Sequence, residues 1–255
     1  MKLENKVAVI SGGAQGIGNA IAELFIQEGA KVAILDIDEQ FGKSAMRRID
    51  AMGGDGLFLP CDVQNEHMVR QALSVVVETY GTVDILVNDA AWQLNRPLLE
   101  TSWDEFREVM DINIGGTFLM TREVAKIMIE QKKGGAIVNL GSSFSFIGSE
   151  GYCAYHASKG AVSSFTRAAA VALLPYGIRV NAVAPGTVLT PGLRVGARGT
   201  GNEESGMQSF LEKQPLGRFG RSDEIAKVVL TLASDDASFV YGAEWVVDGA
   251  YTVAR

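Results

Sequence analysis

Seven short runs rich in aliphatic and β-branched residues recur along the chain: VAVI (7–10), KVAILD (31–36), GLFLPCD (56–62), VDILVND (83–89), GAIVNLGS (135–142), IRVNAVAP (178–185) and EWVVDG (244–249). Most are continuously apolar and do not alternate, the pattern of parallel strands covered on both faces. Helical periodicity fills the gaps, over 17–29, 38–52, 65–80, 103–131, 151–176 and 223–234. Such alternation predicts an α/β fold, a doubly wound seven-stranded parallel sheet flanked by helices on both faces. Ser102-x-x-Glu105 reads as a capping box, Ser222 as an N-cap, and Gly29, Gly81 and Gly177 as helix ends. Periodicity weakens only over about 187–215, a Gly-, Thr- and Ser-rich stretch with one short helix near 203–213. Loops of this length are functional or mobile. No repeat or linker interrupts the rest, so residues 1–255 are expected to form a single domain with a substrate-loop insertion at about 187–215.

Charge and cysteine usage narrow the function classes. Lys+Arg 23 against Asp+Glu 30 leaves a net charge of −7, spread without a basic block, so no nucleic-acid partner is expected. Cys61 and Cys153 belong to no CxxC or Cys/His cluster, and His67 and His156 are not spaced as ligands, which argues for buried thiols and no metal. No apolar stretch reaches the ~18–20 residues of a membrane span. The lead MKLENKVAVISGG lacks the features of a signal peptide. The expectation is a cytoplasmic protein with no membrane partner.

The first run ends in SGGAQGIG (11–18) and passes into an amphipathic helix. A glycine-rich turn there is a dinucleotide signature of Rossmann-type sheets: it allows close backbone approach, and the helix N-terminus receives a diphosphate. The spacing here is Gly-x-x-x-Gly-x-Gly over Gly12, Gly16 and Gly18, unlike the commoner GxGxxG. Asp36, ending the second run, is placed to accept hydrogen bonds from ribose hydroxyls, although it or Asp38 could instead cap the next helix. An acid at 36 repels the extra phosphate of NADP, and neither Gln15 nor Ile37 supplies a cation for it. NAD(H) is therefore favoured over NADP(H).

Tyr155 and Lys159 stand four residues apart in GYCAYHASKG, and alone they describe only one helical face. Ser142, thirteen residues before Tyr155, ends the fifth run, at the sheet edge where open α/β folds bind ligands. Together the three define a candidate site. No G-x-S-x-G elbow accompanies Ser142 and His156, which excludes a hydrolase reading.

In this order and spacing the chain resembles the short-chain dehydrogenases/reductases over essentially its whole length. SGGAQGIG, including Gln15 and Ile17, is similar to their cofactor turn, and Asp62-Val63 to their adenine contact. Asn88-Asp89-Ala90-Ala91 resembles their strand-four motif, and Asn113 their helix-four asparagine. Ser142, Tyr155 and Lys159 match the catalytic set. Asn181 and the run Pro185-Gly186-Thr187-Val188-Leu189-Thr190 resemble the segment that grips the nicotinamide half, and Val247-Asp248-Gly249 the closing strand. The chain departs from the usual Asn-Asn-Ala-Gly at Asp89 and Ala91, and Ser11 stands for the usual threonine.

The resemblance implies reversible hydride transfer between a secondary alcohol or ketone and NAD(H), with Tyr155 as acid/base. A phenol titrates near ~10 when unperturbed, so Lys159 and a positive nicotinamide are expected to lower it. Ser142 would orient the substrate oxygen, and Asn113 would hold a water relaying protons from Lys159. Trp92, Phe144, Tyr152 and the 187–215 loop fall where the family lines its substrate cleft, and Arg194 or Arg198 could meet an anionic group. A homotetramer is implied, burying 103–131 and 151–176. Two alternatives stand beside this: a 3-oxoacyl-[acyl-carrier-protein] reductase using NADPH, which would want a cation near 15 or 37, and an inactive dinucleotide-sensing protein, which would lose the tyrosine or lysine.

Overall fold

The computed structural model describes residues 1–198 and 201–254. Seven strands form one parallel sheet: β1 (Val7–Ser11), β2 (Lys31–Asp36), β3 (Gly56–Pro60), β4 (Ile85–Asn88), β5 (Gly135–Leu140), β6 (Ile178–Pro185) and β7 (Glu244–Val247). Their order is β3-β2-β1-β4-β5-β6-β7. The chain therefore winds outward from β1 in one direction and, after β3, returns to β4 and winds the other way. Ser11 pairs with Leu35 on one side and with Asn88 on the other, so three strand ends open together at the reversal. Ligands of open α/β sheets bind at that crevice.

Two apolar cores cover the two faces. One gathers Ile21, Phe25, Ile225 and Val229 against Ile10, Ile34 and Val87, and the other Val69, Leu73, Val124 and Met128 against Val9, Leu35 and Leu86. Neighbouring strand residues thus face opposite cores, which is why the runs are continuously apolar. The helices are α1 (Gly16–Gln27), α2 (Glu39–Ala51), α3 (Glu66–Tyr80), α4 (Trp103–Met110), α5 (Thr117–Gln131), α6 (Cys153–Leu173), α7 (Pro191–Arg198), α8 (Glu203–Glu212) and α9 (Ser222–Ala233). Among the described residues no helix is long and apolar enough to cross a membrane.

Several local expectations need correction. The pattern over 103–131 is two helices joined by a π-helical turn over Asp111–Gly116, the kind of widened turn that occurs mostly at functional sites. Gly116 lies against Val63, whose Cγ2 would sit 2.5 Å from an added Cβ. Ser102 and Glu105 do form the capping box. Ser222 instead opens α9 as its first residue, and the preceding N–H of Arg221 donates to Glu224 at 2.8 Å. The stretch at 187–215 carries two helices, not one. The strands are trimmed, so Ser142 stands two residues past β5 and heads a short 3-10 turn over Ser143–Ser145.

Candidate active site

Two clefts meet at the carboxyl edge of the sheet. The first, about 600 Å³, runs from Asp36 and Ile37 past Asp62 and Val63 to Gly12, Gln15, Gly16, Ala90 and Ala91. The second, about 620 Å³, holds Ser142, Phe144, Tyr152, Tyr155, Lys159, Pro185, Gly186 and Val188. Ile17, Asp89, Ala91, Trp92, Thr190 and Gly192 line both, so the clefts are continuous through this wall.

The first cleft fits a dinucleotide. Gln15 takes the N-cap position of α1 in extended backbone with no side-chain cap, which leaves N–H groups of the helix terminus available to an anion. Gly12, at φ +70, brings the turn so close to β4 that an added Cβ would lie 2.6 Å from the Ala90 nitrogen. At Gly18 a Cβ would lie 2.4 Å from the Gly12 carbonyl and 2.8 Å from Oδ2 of Asp89. Asp38 caps α2 by accepting from the Phe41 N–H at 2.9 Å. That leaves Asp36 to accept from the N–H groups of Ala14 and Asp38, both at 3.1 Å, and so tie the glycine turn to β2. Each Asp36 oxygen keeps a second lone pair for a ribose hydroxyl. Ile37 is 75% exposed beside it. No lysine or arginine is among the described residues lining this cleft.

Other expected contacts sit behind the wall. Asn88 is buried, and its Nδ2 donates to Thr121 at 3.1 Å and to Asn139 at 2.8 Å, which makes it a brace between β4, β5 and α5. Asn181 likewise donates to the Val240 carbonyl and accepts from the Ala243 N–H. In the π turn, Asn113 donates to the Trp92 carbonyl at 3.0 Å and to Ser158 at 2.9 Å, and accepts from the Trp92 N–H at 2.7 Å. Both amide hydrogens are committed, so the water relay expected of it would have to use an oxygen of that residue. What its side chain does is fix Trp92 against α6.

Ser142, Tyr155 and Lys159 do come together. The Ser142 hydroxyl accepts from the Phe144 N–H at 3.1 Å and lines the same cleft as the Tyr155 phenol. Lys159 is buried, donates to the Leu140 carbonyl at 2.7 Å, and has its Nζ 5.6 Å from the centroid of the Tyr155 ring. Lys159 is not among the groups that shift Tyr155 in the chain by itself. Burial, and then the Asp89 charge, raise the phenol above its ordinary value, while Ser142 alone pulls it down. Burial lowers Lys159, against the pull of Asp89 and Glu244, and burial raises Asp89. The chain by itself thus favours a neutral phenol.

The second cleft has a feature no residue-type pattern announced. His156 accepts from the Ser149 N–H through Nε2 at 3.2 Å, so its Nδ1–H donates to the Phe144 carbonyl at 2.7 Å. The ring also stacks on Phe144, centroids 4.4 Å apart, and Phe144 meets the edges of Tyr152 and Tyr155. Its position beside Tyr155 was the only available clue. Gln214, buried near Phe210, donates to Thr187 at 3.0 Å and holds α8 to the end of β6. Arg194 and Arg198 both pair with Glu203, at 3.1 and 2.6 Å, so one carboxylate already engages both guanidinium groups offered to an anionic substrate. The described residues contain no cluster that could hold a metal ion.

A reversal crevice lined by a glycine-rich turn and a strand-end acid defines a Rossmann-type dinucleotide fold. A profile described as enoyl-(acyl-carrier-protein) reductase matches residues 12–252. A cyclopentanol dehydrogenase of Comamonas sp. is 39% identical over 251 residues, 98% of each chain. Among solved structures, levodione reductase superposes with a TM-score of 0.94 at 32% identity, over 99% of this chain and 100% of that one. An NAD+-bound xylitol dehydrogenase does so at 0.91 and 32%, over 98% and 100%. The chain belongs to the short-chain dehydrogenase/reductase family of oxidoreductases.

Proposed function

We propose that this protein is an NAD(H)-dependent oxidoreductase of small secondary alcohols and ketones, cyclic ones foremost, with Tyr155 as the acid/base. The observation that carries this reading is the convergence of Ser142, Tyr155 and Lys159 in the second cleft, which shares a wall with the first. The nicotinamide cofactor, when bound, supplies or accepts the hydride. Ser142 orients the substrate oxygen and steadies charge developing on it. Tyr155 gives a proton to that oxygen in reduction and takes one in oxidation, and its neutral resting state suits reduction as the structure stands. Lys159 holds the Leu140 carbonyl and faces the phenol ring.

Substrate chemistry draws on the aromatic wall of Phe144, Tyr152 and Trp92, and on the relative whose name specifies cyclopentanol, a cyclic secondary alcohol. The absence of cations among the described lining residues of the first cleft, and the acid at 36, support NAD(H) over NADP(H) and disfavour the NADPH-dependent 3-oxoacyl reductase. Assembly as a homotetramer is supported by apolar side chains exposed along 103–131 and 151–176, among them Trp103 at 70% and Val171 at 73%. Conversion of Tyr155 to Phe is the decisive test. Turnover of cyclopentanol with NAD+, followed by absorbance, should fall by about 10²–10⁴, with NADH binding by fluorescence retained; unchanged turnover would sink the reading.

A further inference from the structure

Asp89 is an acid that the proposed hydride and proton transfers do not use, yet it stands where they meet. It follows β4, lines both clefts, and its Oδ2 lies so close to Gly18 in the first turn of α1 that a Cβ added there would stand 2.8 Å from it. An uncapped helix terminus in a dinucleotide cleft is the seat of a diphosphate, so the carboxylate beside Gly18 and the ligand would share one patch of positive potential. The charged and titratable groups facing Asp89 are Lys159 and Tyr155 from α6 and Asp36 from the end of β2. Lys159 is the single cation among them, and Glu244 also draws on it. Two anionic groups at one buried terminus with one shared cation is an arrangement that a proton relieves, and burial already holds this carboxyl far above the usual carboxylate range.

We propose that Asp89 is a positioning residue that takes up a proton when the dinucleotide binds and gives it back when the dinucleotide leaves, linking cofactor affinity to pH. The proposal rests on the dinucleotide reading above. The proton comes from solvent and returns to it, and no bond other than O–H is made or broken. Protonated Asp89 has the shape of an asparagine, presents no charge to the diphosphate, and leaves Lys159 unpaired for the ligand.

The sign follows from linkage. The complex raises the carboxyl above its value in the free protein, so affinity is full below the free value. It declines by up to about tenfold per pH unit above that value, and levels off once the pH passes the value in the complex. The test is NADH titration by fluorescence across about pH 6 to 9, with calorimetry at mildly alkaline pH in two buffers of different ionisation enthalpy. The wild-type protein should bind progressively more weakly above neutrality and take up protons on binding. Asp89→Asn should bind with a nearly flat pH profile and an enthalpy independent of buffer. A flat wild-type profile with no buffer dependence overturns the proposal without touching the cofactor reading. Proton uptake retained in Asp89→Asn also overturns it and moves the linkage to Lys159. Failure of the wild-type protein to bind NADH at any pH removes both readings. The wild-type buffer comparison stands even if the variant does not fold.

Discussion

The two clefts are built in opposite ways. The dinucleotide side is made of backbone: the turn of Gly12 and Gly18 touches the carbonyl of residue 12 and the amide of residue 90, and Asp36 grips it through the Ala14 N–H. The substrate side is made of side chains from distant segments, with Phe144 stacked on His156 and Gln214 tied to Thr187 across 27 residues. Backbone contacts tolerate no added atoms, whereas a side-chain wall can repack. Demands of the first kind restrict residue type and are visible in a motif; those of the second restrict only shape.

Substitutions can break this contrast, the largest effect first. Gly18→Ala should be the most damaging, because the methyl would meet a carbonyl oxygen that cannot move without the turn. The cost is on the order of 1–3 kcal/mol, read as a lower unfolding temperature together with lost NADH binding. Near-normal stability and binding would show that the turn is softer than its contacts imply. Asp36→Ala should relax discrimination against NADP+ by about ten- to a hundredfold, since a charged acceptor is worth roughly 1.5–3 kcal/mol. An unaltered ratio of NAD+ to NADP+ efficiencies would reduce Asp36 to a brace for the turn. His156→Ala should raise KM for cyclopentanol severalfold while NADH affinity stays put. A matching loss of NADH affinity would mean that the two clefts are not separately built.

The same contrast explains what could be read in advance. The seven parallel strands follow from apolar runs, which reflect a local requirement, and the Ser142, Tyr155 and Lys159 set was legible from spacing together with the family resemblance, whereas the order of the strands was not. Asn88 and Asn113 were legible as special positions but not in their contacts. Whether an asparagine faces a ligand or braces a strand depends on what packs behind it, here Thr121, Asn139 and Ser158. For Tyr155 a neighbour four residues on was visible, but the depth of burial and the Asp89 carboxyl, which raise the phenol in the chain by itself, were not. Helix α7 escaped notice because its eight residues, PGLRVGAR, include two glycines and a proline, all poor helix formers.

The π-helical turn at Asp111–Gly116 acts on the molecule as a phase shift. Each residue advances a helix by about 100°, so widening one turn by a residue resets which side faces inward from that point on. Before it, α4 is keyed to α6; after it, α5 is keyed to α3 and the sheet through Met120, Val124 and Met128. Asn113 sits at the point where the phase changes, turned toward Trp92 and Ser158, and it joins the two halves of the fold to the floor of the site.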